Sequence, residues 1–185
     1  AVLAGNSLLI LAYEILASEF FKTNIQTKIN LIKNISKCSG HLGIAGGQYL
    51  DLNYEHKKVS KKKITEMEIK KTGKLFSFCC VAPLLIKNKK NKEIKYFEKI
   101  GSEIGLLFQI ADDLIDYVGQ SSIAGKKTKK DQKQGKATLI SLLGHKNAIK
   151  YSDNLIKKIN KKINKYGSKS NDLNKTLDYI LNRNK

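Results

Sequence analysis

The spacing of apolar residues along the chain is helical from its first residues onward. Apolar positions recur three and four residues apart almost throughout, and the strict alternation that indicates β-strands is rare. The pattern therefore predicts an all-α chain. It opens with an apolar helix over 1–18, in which Leu3, Leu8, Leu11 and Ile15 form a stripe that we expect to face the core.

The remaining pattern predicts further helices separated by polar or glycine-rich breaks. The predicted helices cover 24–52, 64–86, 93–118, 137–143, 146–166 and 172–182, and the predicted loops cover 55–63, 88–91 and 120–135. Small residues cluster late in the second helix, at Gly40, Gly43, Ala45, Gly46 and Gly47. Because glycine costs a helix about 1 kcal/mol relative to alanine, this cluster indicates close approach of another helix or of a ligand.

Charge and cysteine content narrow the possible functions. The 185 residues carry 35 Lys and Arg against 16 Asp and Glu, a formal net charge of +19, and all basic residues but one are lysines. Proteins that read nucleic acids favour arginine, so we expect a solvated lysine-rich surface and no nucleic-acid partner. Cys38, Cys79 and Cys80 lack metal-site spacing, and Asn6 and Glu14 interrupt the opening apolar segment. These features predict a cytoplasmic protein without a membrane span.

The helix predicted at 93–118 carries a polar stripe beside its apolar one. The apolar stripe comprises Ile100, Ile104, Leu107, Ala111, Leu114 and Val118, and the polar stripe comprises Gln109, Asp112, Asp113 and Asp116. Asp112 and Asp116 repel each other at their i,i+4 spacing, and the helix dipole disfavours an anion in the last turn. A hard cation removes both costs, since Mg²⁺ prefers oxygen ligands and is commonly shared between carboxylates and a diphosphate. Taken alone, the stripe fits a solvated acidic patch equally well.

Lysines near the acidic stripe change that balance. The loop after the helix holds Gly125-Lys126, Asp131, Gly135-Lys136 and Thr138, and an earlier helix holds Lys71-Thr72 beside Gly73. Lysines that follow a carboxylate-rich helix end can face an anionic ligand from the side opposite the metal. These neighbours favour a site for a metal ion and a diphosphate over a solvated patch.

Together these segments resemble the trans-isoprenyl diphosphate synthases, in particular the bacterial farnesyl (geranyl) diphosphate synthases. The matching blocks are Gly47-Gln48-x-x-Asp51, Lys71-Thr72-Gly73, Phe108-Gln109-x-x-Asp112-Asp113-x-x-Asp116, Gly125-Lys126 and Asp131-x-x-x-Gly135-Lys136-x-Thr138. They keep the family's order and spacing over essentially the whole chain. The resemblance implies an isoprenoid-synthase-type helical bundle around a central cavity and a homodimer. It also implies condensation of isopentenyl diphosphate with an allylic diphosphate, dimethylallyl or geranyl.

The resemblance further implies roles for single residues. Mg²⁺ would be held by Asp112, Asp113 and Asp116, with Asp112 as the direct ligand, and the allylic diphosphate would be bound by Lys71, Lys126 and Lys136. The catalytic set would be Lys71, Thr72 and Gln109, of which the last two line the reacting carbons, where oxygen dipoles can steady a cation. Gln48 and Asp51 are expected to position the cavity wall without touching the substrate.

Two parts of the family pattern are absent from the sequence. Neither a first aspartate-rich motif nor the paired arginines that follow it occurs, and Asn6 stands where the family has Asp. The resemblance therefore implies that residues 1–185 are the C-terminal part of a single polyprenyl synthase domain without its N-terminal helices. We expect little or no activity from this chain alone. Farnesyl diphosphate is the expected product, with geranylgeranyl diphosphate left open.

Three other functions compete with a prenyltransferase. A non-catalytic partner subunit of a heteromeric prenyl synthase would begin near residue 1, which the uncapped opening helix argues against. A nucleic-acid-binding helical domain is disfavoured by the scarcity of arginine. Terpene cyclases share the fold, but their acidic motif is not followed by a Gly-Lys…Gly-Lys loop. The prenyltransferase remains the favoured interpretation.

Overall fold

The computed structural model describes residues 2–118 and 135–182, and within these ranges the chain is helical and contains no strand. The helices are α1 (Val2–Ala17), α2 (Ile25–Ser39), α3 (Ile44–Asn53), α4 (Lys61–Glu68), α5 (Lys74–Ile86), α6 (Asn91–Val118), α7 (Leu139–Leu143), α8 (His145–Ile163) and α9 (Asn171–Asn182). A π-helical turn (Ile69–Gly73) joins α4 to α5, and a 3₁₀ helix (Asn164–Ser170) joins α8 to α9. The predicted all-α class is confirmed.

Helix α6 forms the centre of the core. It packs against α5, the π-helical turn, α8 and α9. Of its predicted apolar stripe, Ile100, Ile104, Leu107 and Ala111 are buried, and Ile110 beside them is buried as well. From Ile100 onward buried residues occupy more than one face, so this part of α6 is enclosed by its neighbours, and its carboxylates are carried on a rigid element.

Glycines bring the π-helical turn directly against α6. A Cβ atom on Gly105 would lie 2.5 Å from Gly73 Cα, and one on Gly101 would lie 2.6 Å from Ser77 Cα. Such distances are far below van der Waals contact, so a larger residue at either glycine would force the helices apart. This close packing places the Lys71-Thr72 turn beside the carboxylate-bearing stretch of α6.

The single helix predicted at 24–52 is in fact two helices. Helix α2 starts at the N-cap Asn24, whose side chain accepts a 2.8 Å hydrogen bond from Thr27 N, and the chain turns before α3 begins at Ile44. A Cβ atom on Gly43 would lie 1.8 Å from the Cys38 carbonyl oxygen, so the turn requires glycine. Further along, a Cβ atom on Gly47 would lie 2.2 Å from Lys71 N. The glycine cluster therefore serves both a turn and the predicted close approach of another helix.

The prediction that α1 faces the core is wrong for the described part of the chain. Helix α1 has no buried residue there, Leu3 is 83% exposed, and Leu8, Leu11 and Ile15 are also exposed. It packs chiefly against α2, so its other face has no cover among residues 2–118 and 135–182. The apolar spacing identified the helix correctly but did not determine which element covers it.

Helix α4 begins three residues earlier than predicted. The side chain of Ser60 accepts a hydrogen bond from Lys63 N, and this cap starts the helix at Lys61, inside the expected basic loop.

Among the described helices, none combines the length and apolarity needed to cross a bilayer.

Candidate active site

Several helices converge on a polar cavity of about 200 Å³. Its walls come from α3, α4, the π-helical turn, α6 and the segment before α7. The lining residues are Asp51, Met67, Glu68, Lys71, Gln109, Asp112, Asp113, Lys136 and Thr138. Five residues that the sequence analysis assigned to the site, namely Lys71, Gln109, Asp112, Asp113 and Lys136, thus lie around one space although they are up to 65 positions apart.

Lys71 is presented by the π-helical turn, in which the amide of Lys74 donates to the carbonyl of Ile69. Such single wide turns occur frequently at functional sites. The Lys71 ammonium donates a 2.6 Å hydrogen bond to Asp51 Oδ2, and the Lys136 ammonium lies 3.9 Å from the same oxygen. Asp51 is only 3% exposed, so a buried carboxylate stands between two cavity-lining lysines.

A hydrogen-bonded chain joins the π-helical turn to the acidic stripe. The Thr72 hydroxyl donates to Gln109 Oε1 at 2.7 Å, and Gln109 Nε2 donates to Asp113 Oδ1 at 2.8 Å. The two bonds together define the orientation of the Gln109 side-chain amide, with its oxygen towards Thr72 and its nitrogen towards Asp113. Thr72 and Gln109 are therefore held as a unit, and that unit orients Asp113.

The carboxylates of α6 are divided between two neighbouring cavities. Asp112 and Asp113 line the cavity described above, whereas Asp116 lines a smaller one of about 60 Å³. Asp113, Lys136 and Thr138 contribute to both cavities. Asp113 and Asp116 are buried and Asp112 is partly exposed, which makes Asp112 the most accessible carboxylate of the motif.

The donor chemistry of this wall fits a hard divalent cation that is shared with a ligand. Among the residues that the structure describes, no three His, Cys, Asp or Glu side chains are grouped so that they alone could hold a metal ion. Mg²⁺ is usually bound through one or two carboxylates, with phosphate oxygens and waters completing its octahedron. Asp112 and Asp113 match this open arrangement, whereas a closed protein cage would need further ligands.

Glu68 is a cavity residue that sequence analysis missed. It is 2% exposed, its Oε1 accepts a 3.4 Å hydrogen bond from Leu139 N, and its Oε2 has no hydrogen-bond partner within the described ranges. Burial, with a contribution from the charge of Asp113, raises the pKa of the Glu68 carboxyl well above its usual value. Its contact with Leu139 links the start of α7 to α4.

A signal for Glu68 was present in the helical spacing. Ile64, Met67 and Glu68 have the spacing of one helical face, and all three are buried. Lys71 follows at the next position of the same spacing. A glutamate on the apolar face of a helix requires a structural or functional explanation. Sequence analysis overlooked Glu68 because the surrounding segment contains many other charged residues.

The remaining predicted site residues have different placements. Thr138 lines both cavities and caps α7, since its Oγ1 accepts a 3.1 Å hydrogen bond from Ser141 N. Gln48 is exposed on α3 and is not among the residues lining the polar cavity. Lys126 and Asp131 lie outside the described residues, together with the Gly125-Lys126 block.

Comparison with known proteins gives one consistent family. The family model for Polyprenyl synthetase matches residues 1–180. Farnesyl diphosphate synthase of Escherichia coli is 33% identical over 190 residues, and geranylgeranyl diphosphate synthase of Cyanophora paradoxa is 31% identical over 185 residues, each covering 100% of this chain. The chain spans 64% and 62% of the length of these two relatives.

Solved structures agree with the sequence relatives. A geranyltransferase from Helicobacter pylori, crystallised with magnesium and isoprenyl diphosphate, superposes with a TM-score of 0.82 at 28% identity over 98% of this chain and 59% of its own. An FPP/GFPP synthase from Zymomonas mobilis superposes with a TM-score of 0.80 at 34% identity over 97% of this chain and 60% of its own. The isoprenoid-synthase-type helical fold implied by the sequence blocks is confirmed. The chain belongs to the polyprenyl synthetase family.

Proposed function

We propose that this protein acts in a trans-prenyl diphosphate synthase, in which isopentenyl diphosphate is condensed with an allylic diphosphate. The observation that carries the proposal is the polar cavity, where Lys71, Lys136, Asp112 and Asp113 line one space of about 200 Å³. Two cations and two carboxylates around one space suit a diphosphate that is bound together with a divalent metal ion. The family membership and the farnesyl and geranylgeranyl diphosphate synthases among the relatives support the same chemistry.

In this proposal the two lysines bind the allylic diphosphate and Asp112 and Asp113 hold the metal ion. Lys126 and Asp116 complete the two sets, as the family blocks suggest. The ion is Mg²⁺, which accompanies isoprenyl diphosphate in the Helicobacter pylori geranyltransferase, and when bound it supplies Lewis-acid stabilisation of the departing diphosphate.

The neutral residues of the site serve the reacting carbons. The Thr72 hydroxyl and the Gln109 amide are held by their mutual hydrogen bond and by the bond from Gln109 to Asp113. Dipoles that are fixed before reaction stabilise developing charge without the cost of reorganisation. Their oxygens can therefore steady the positive charge that develops on the allylic fragment as the diphosphate leaves.

Product, assembly and location are part of the proposal as well. Farnesyl diphosphate is the proposed product because farnesyl diphosphate synthases recur among the relatives, and geranylgeranyl diphosphate is the alternative. A homodimer that works in the cytoplasm is the assembly we propose, in line with the family resemblance.

The test is binding of a non-reactive thiolo analogue of dimethylallyl diphosphate, measured by calorimetry with Mg²⁺ and with EDTA. We expect binding that requires Mg²⁺ and that Asp112→Asn weakens by about 100-fold. Absence of binding, or equal binding in EDTA, contradicts the proposal.

Condensation is assayed with labelled isopentenyl diphosphate on this chain and on the full product of its gene. Analogue binding without turnover in every form would instead support a non-catalytic partner subunit.

A further inference from the structure

The described lining of the polar cavity is more acidic than basic, although the chain as a whole carries a net charge of +19. Its carboxyl groups belong to Asp51, Asp112, Asp113 and Glu68, of which Glu68 is held towards its neutral form by burial, and its basic members are Lys71 and Lys136. An anion that enters alone meets at least as many carboxylates as ammonium groups on these walls. Among the described lining residues, the carboxylates therefore offset the two lysines, in contrast to the positive charge of the chain as a whole.

Asp51 engages both of the cavity's described lysines. Its Oδ2 atom lies 2.6 Å from Lys71 Nζ and 3.9 Å from Lys136 Nζ, and its side chain is 4% exposed. A buried carboxylate is stable only when it is paired, because its desolvation must be offset by nearby opposite charge. Both ammonium groups are therefore paired with Asp51, and an anion in the cavity must compete with this carboxylate for them.

The backbone around Asp51 keeps its carboxylate in this position. Gly47 precedes Asp51 by four residues and lies on the same face of α3, and both residues are buried. A Cβ atom on Gly47 would lie 2.2 Å from the backbone nitrogen of Lys71 and 2.5 Å from its Cα. Helix α3 thus sits against the π-helical turn, and the backbone at Asp51 stays close to the backbone at Lys71 unless the two elements separate.

We infer that Asp51 is a positioning residue that makes diphosphate binding depend on the divalent cation. This inference rests on the proposed function. A diphosphate without a cation must compete with Asp51 for both lysines and adds its own negative charge to Asp112 and Asp113. A diphosphate that arrives with Mg²⁺ brings positive charge into the same space and is repelled less. Asp51 therefore selects the metal complex of the ligand over the free anion.

The experiment measures the affinity of inorganic pyrophosphate by calorimetry, once with excess Mg²⁺ and once with EDTA. The proteins are the wild type, Asp51→Asn, the smaller Asp51→Ala, and the control Glu103→Gln. Glu103 is also a buried carboxylate between two lysines, but it does not line the polar cavity. For the wild type we expect tight binding only with Mg²⁺. In both Asp51 variants the ratio of the two affinities should fall by about tenfold, chiefly through tighter binding in EDTA.

Glu103→Gln should keep the wild-type ratio, because a purely structural loss of an ion pair does not change the preference between metal-bound and free pyrophosphate. Thermal unfolding checks that each variant is folded. A wild-type ratio near one, or Asp51 variants that keep the wild-type ratio, would overturn the inference while leaving the proposed function standing. A wild type that does not bind pyrophosphate even with Mg²⁺ would overturn both.

Discussion

Two buried carboxylates in this protein are each held between two lysines, but they lie in different surroundings. Asp51 pairs with Lys71 and approaches Lys136, three residues brought together from α3, the π-helical turn and the segment before α7. Glu103 on α6 pairs with Lys158 at 3.1 Å and with Lys162 at 2.5 Å, both on α8. Both clusters consist of one carboxylate and two lysines, but the lysines at Asp51 come from two different segments and those at Glu103 from a single helix.

The surroundings of each cluster indicate what it does. The lysines at Glu103 are one helical turn apart, and the Tyr96 hydroxyl donates to the Lys162 carbonyl, so this cluster fastens α8 to α6. The lysines at Asp51 line the cavity that also contains Asp112 and Asp113. The same set of charges thus stabilises a helix interface in one place and, in the function that we propose, prepares a ligand site in the other.

The largest effect is expected from Gly47→Ala, which disturbs only the Asp51 cluster. The added methyl group meets the Lys71 backbone at 2.2 Å, and such overpacking should reduce the free energy of unfolding by about 3 kcal/mol. Gly5→Ala is the matched control, because a Cβ atom there has nothing within 4 Å, and it should be stabilising by up to about 1 kcal/mol. Denaturant unfolding measures both. Equal effects would show that α3 does not pack as described.

The next largest effect is expected on binding of the metal ion that we propose for the polar cavity, which Asp51 also lines. Asp112→Asn should weaken Mg²⁺-dependent pyrophosphate binding by about 100-fold, because it removes the most accessible carboxylate of the cavity. Asp153→Asn, an exposed position on α8, should leave binding unchanged. Calorimetry on both variants decides the matter, and a loss of less than threefold for Asp112→Asn would rule out a metal-binding role for it.

Replacing one lysine in each cluster separates ligand binding from stability. Lys71→Met should weaken Mg²⁺–pyrophosphate binding by about tenfold, since it removes a charged hydrogen-bond donor from the cavity. Lys162→Met should lower the melting temperature and leave that affinity unchanged, because its ammonium serves Glu103. If the two variants lose affinity equally, the clusters do not differ in function.

Removing the structural carboxylate should have a smaller effect that is confined to stability. Glu103→Gln leaves two lysines without their counter-ion, but Lys158 is 57% exposed and can be solvated. We expect a loss of about 1–2 kcal/mol in the free energy of unfolding. Chemical denaturation provides the measurement. A loss that disappears in high salt would mean that the cluster acts only as a surface ion pair.

The smallest effect is a pH dependence at Glu68. Because burial and the charge of Asp113 raise the pKa of this carboxyl in the folded state, the folded protein keeps a proton that the unfolded chain loses as pH rises above about 4.5. Stability from this group therefore falls with rising pH. Glu68→Gln removes the effect, so the variant should gain stability relative to wild type as the pH rises from 5 to 8.

Unfolding in EDTA at the two pH values measures the gain for Glu68→Gln, with the exposed Glu66→Gln as the control for loss of a carboxylate. A stability difference between Glu68→Gln and wild type that is the same at both pH values would contradict the raised pKa.

Periodicity and ordered sequence blocks were sufficient to predict much of the molecule. The α6 stripe is buried at Ile100, Ile104 and Leu107, because a 3.6-residue repeat defines one face whatever packs against it. The blocks around Lys71, Asp112 and Lys136 were correctly expected to form one family pattern, and their side chains do meet at one cavity.

Other features depend on contacts that a sequence pattern does not specify. The glycines at 40–47 fit a tight turn and a helix contact equally well, so the break between α2 and α3 was missed. The apolar character of Leu3 and Leu8 shows a preference for burial but not which element supplies it. Asp51 and Glu68 acquire their importance only from partners 20 and 71 positions away.

A crystal structure of the protein with Mg²⁺ and the thiolo analogue of dimethylallyl diphosphate tests the central claim most directly. The proposed function predicts diphosphate oxygens between Lys71 and Lys136, with a metal ion shared between the diphosphate and Asp112 or Asp113. An analogue that binds away from this cavity, or that binds in it without a metal ion on α6, would contradict the claim.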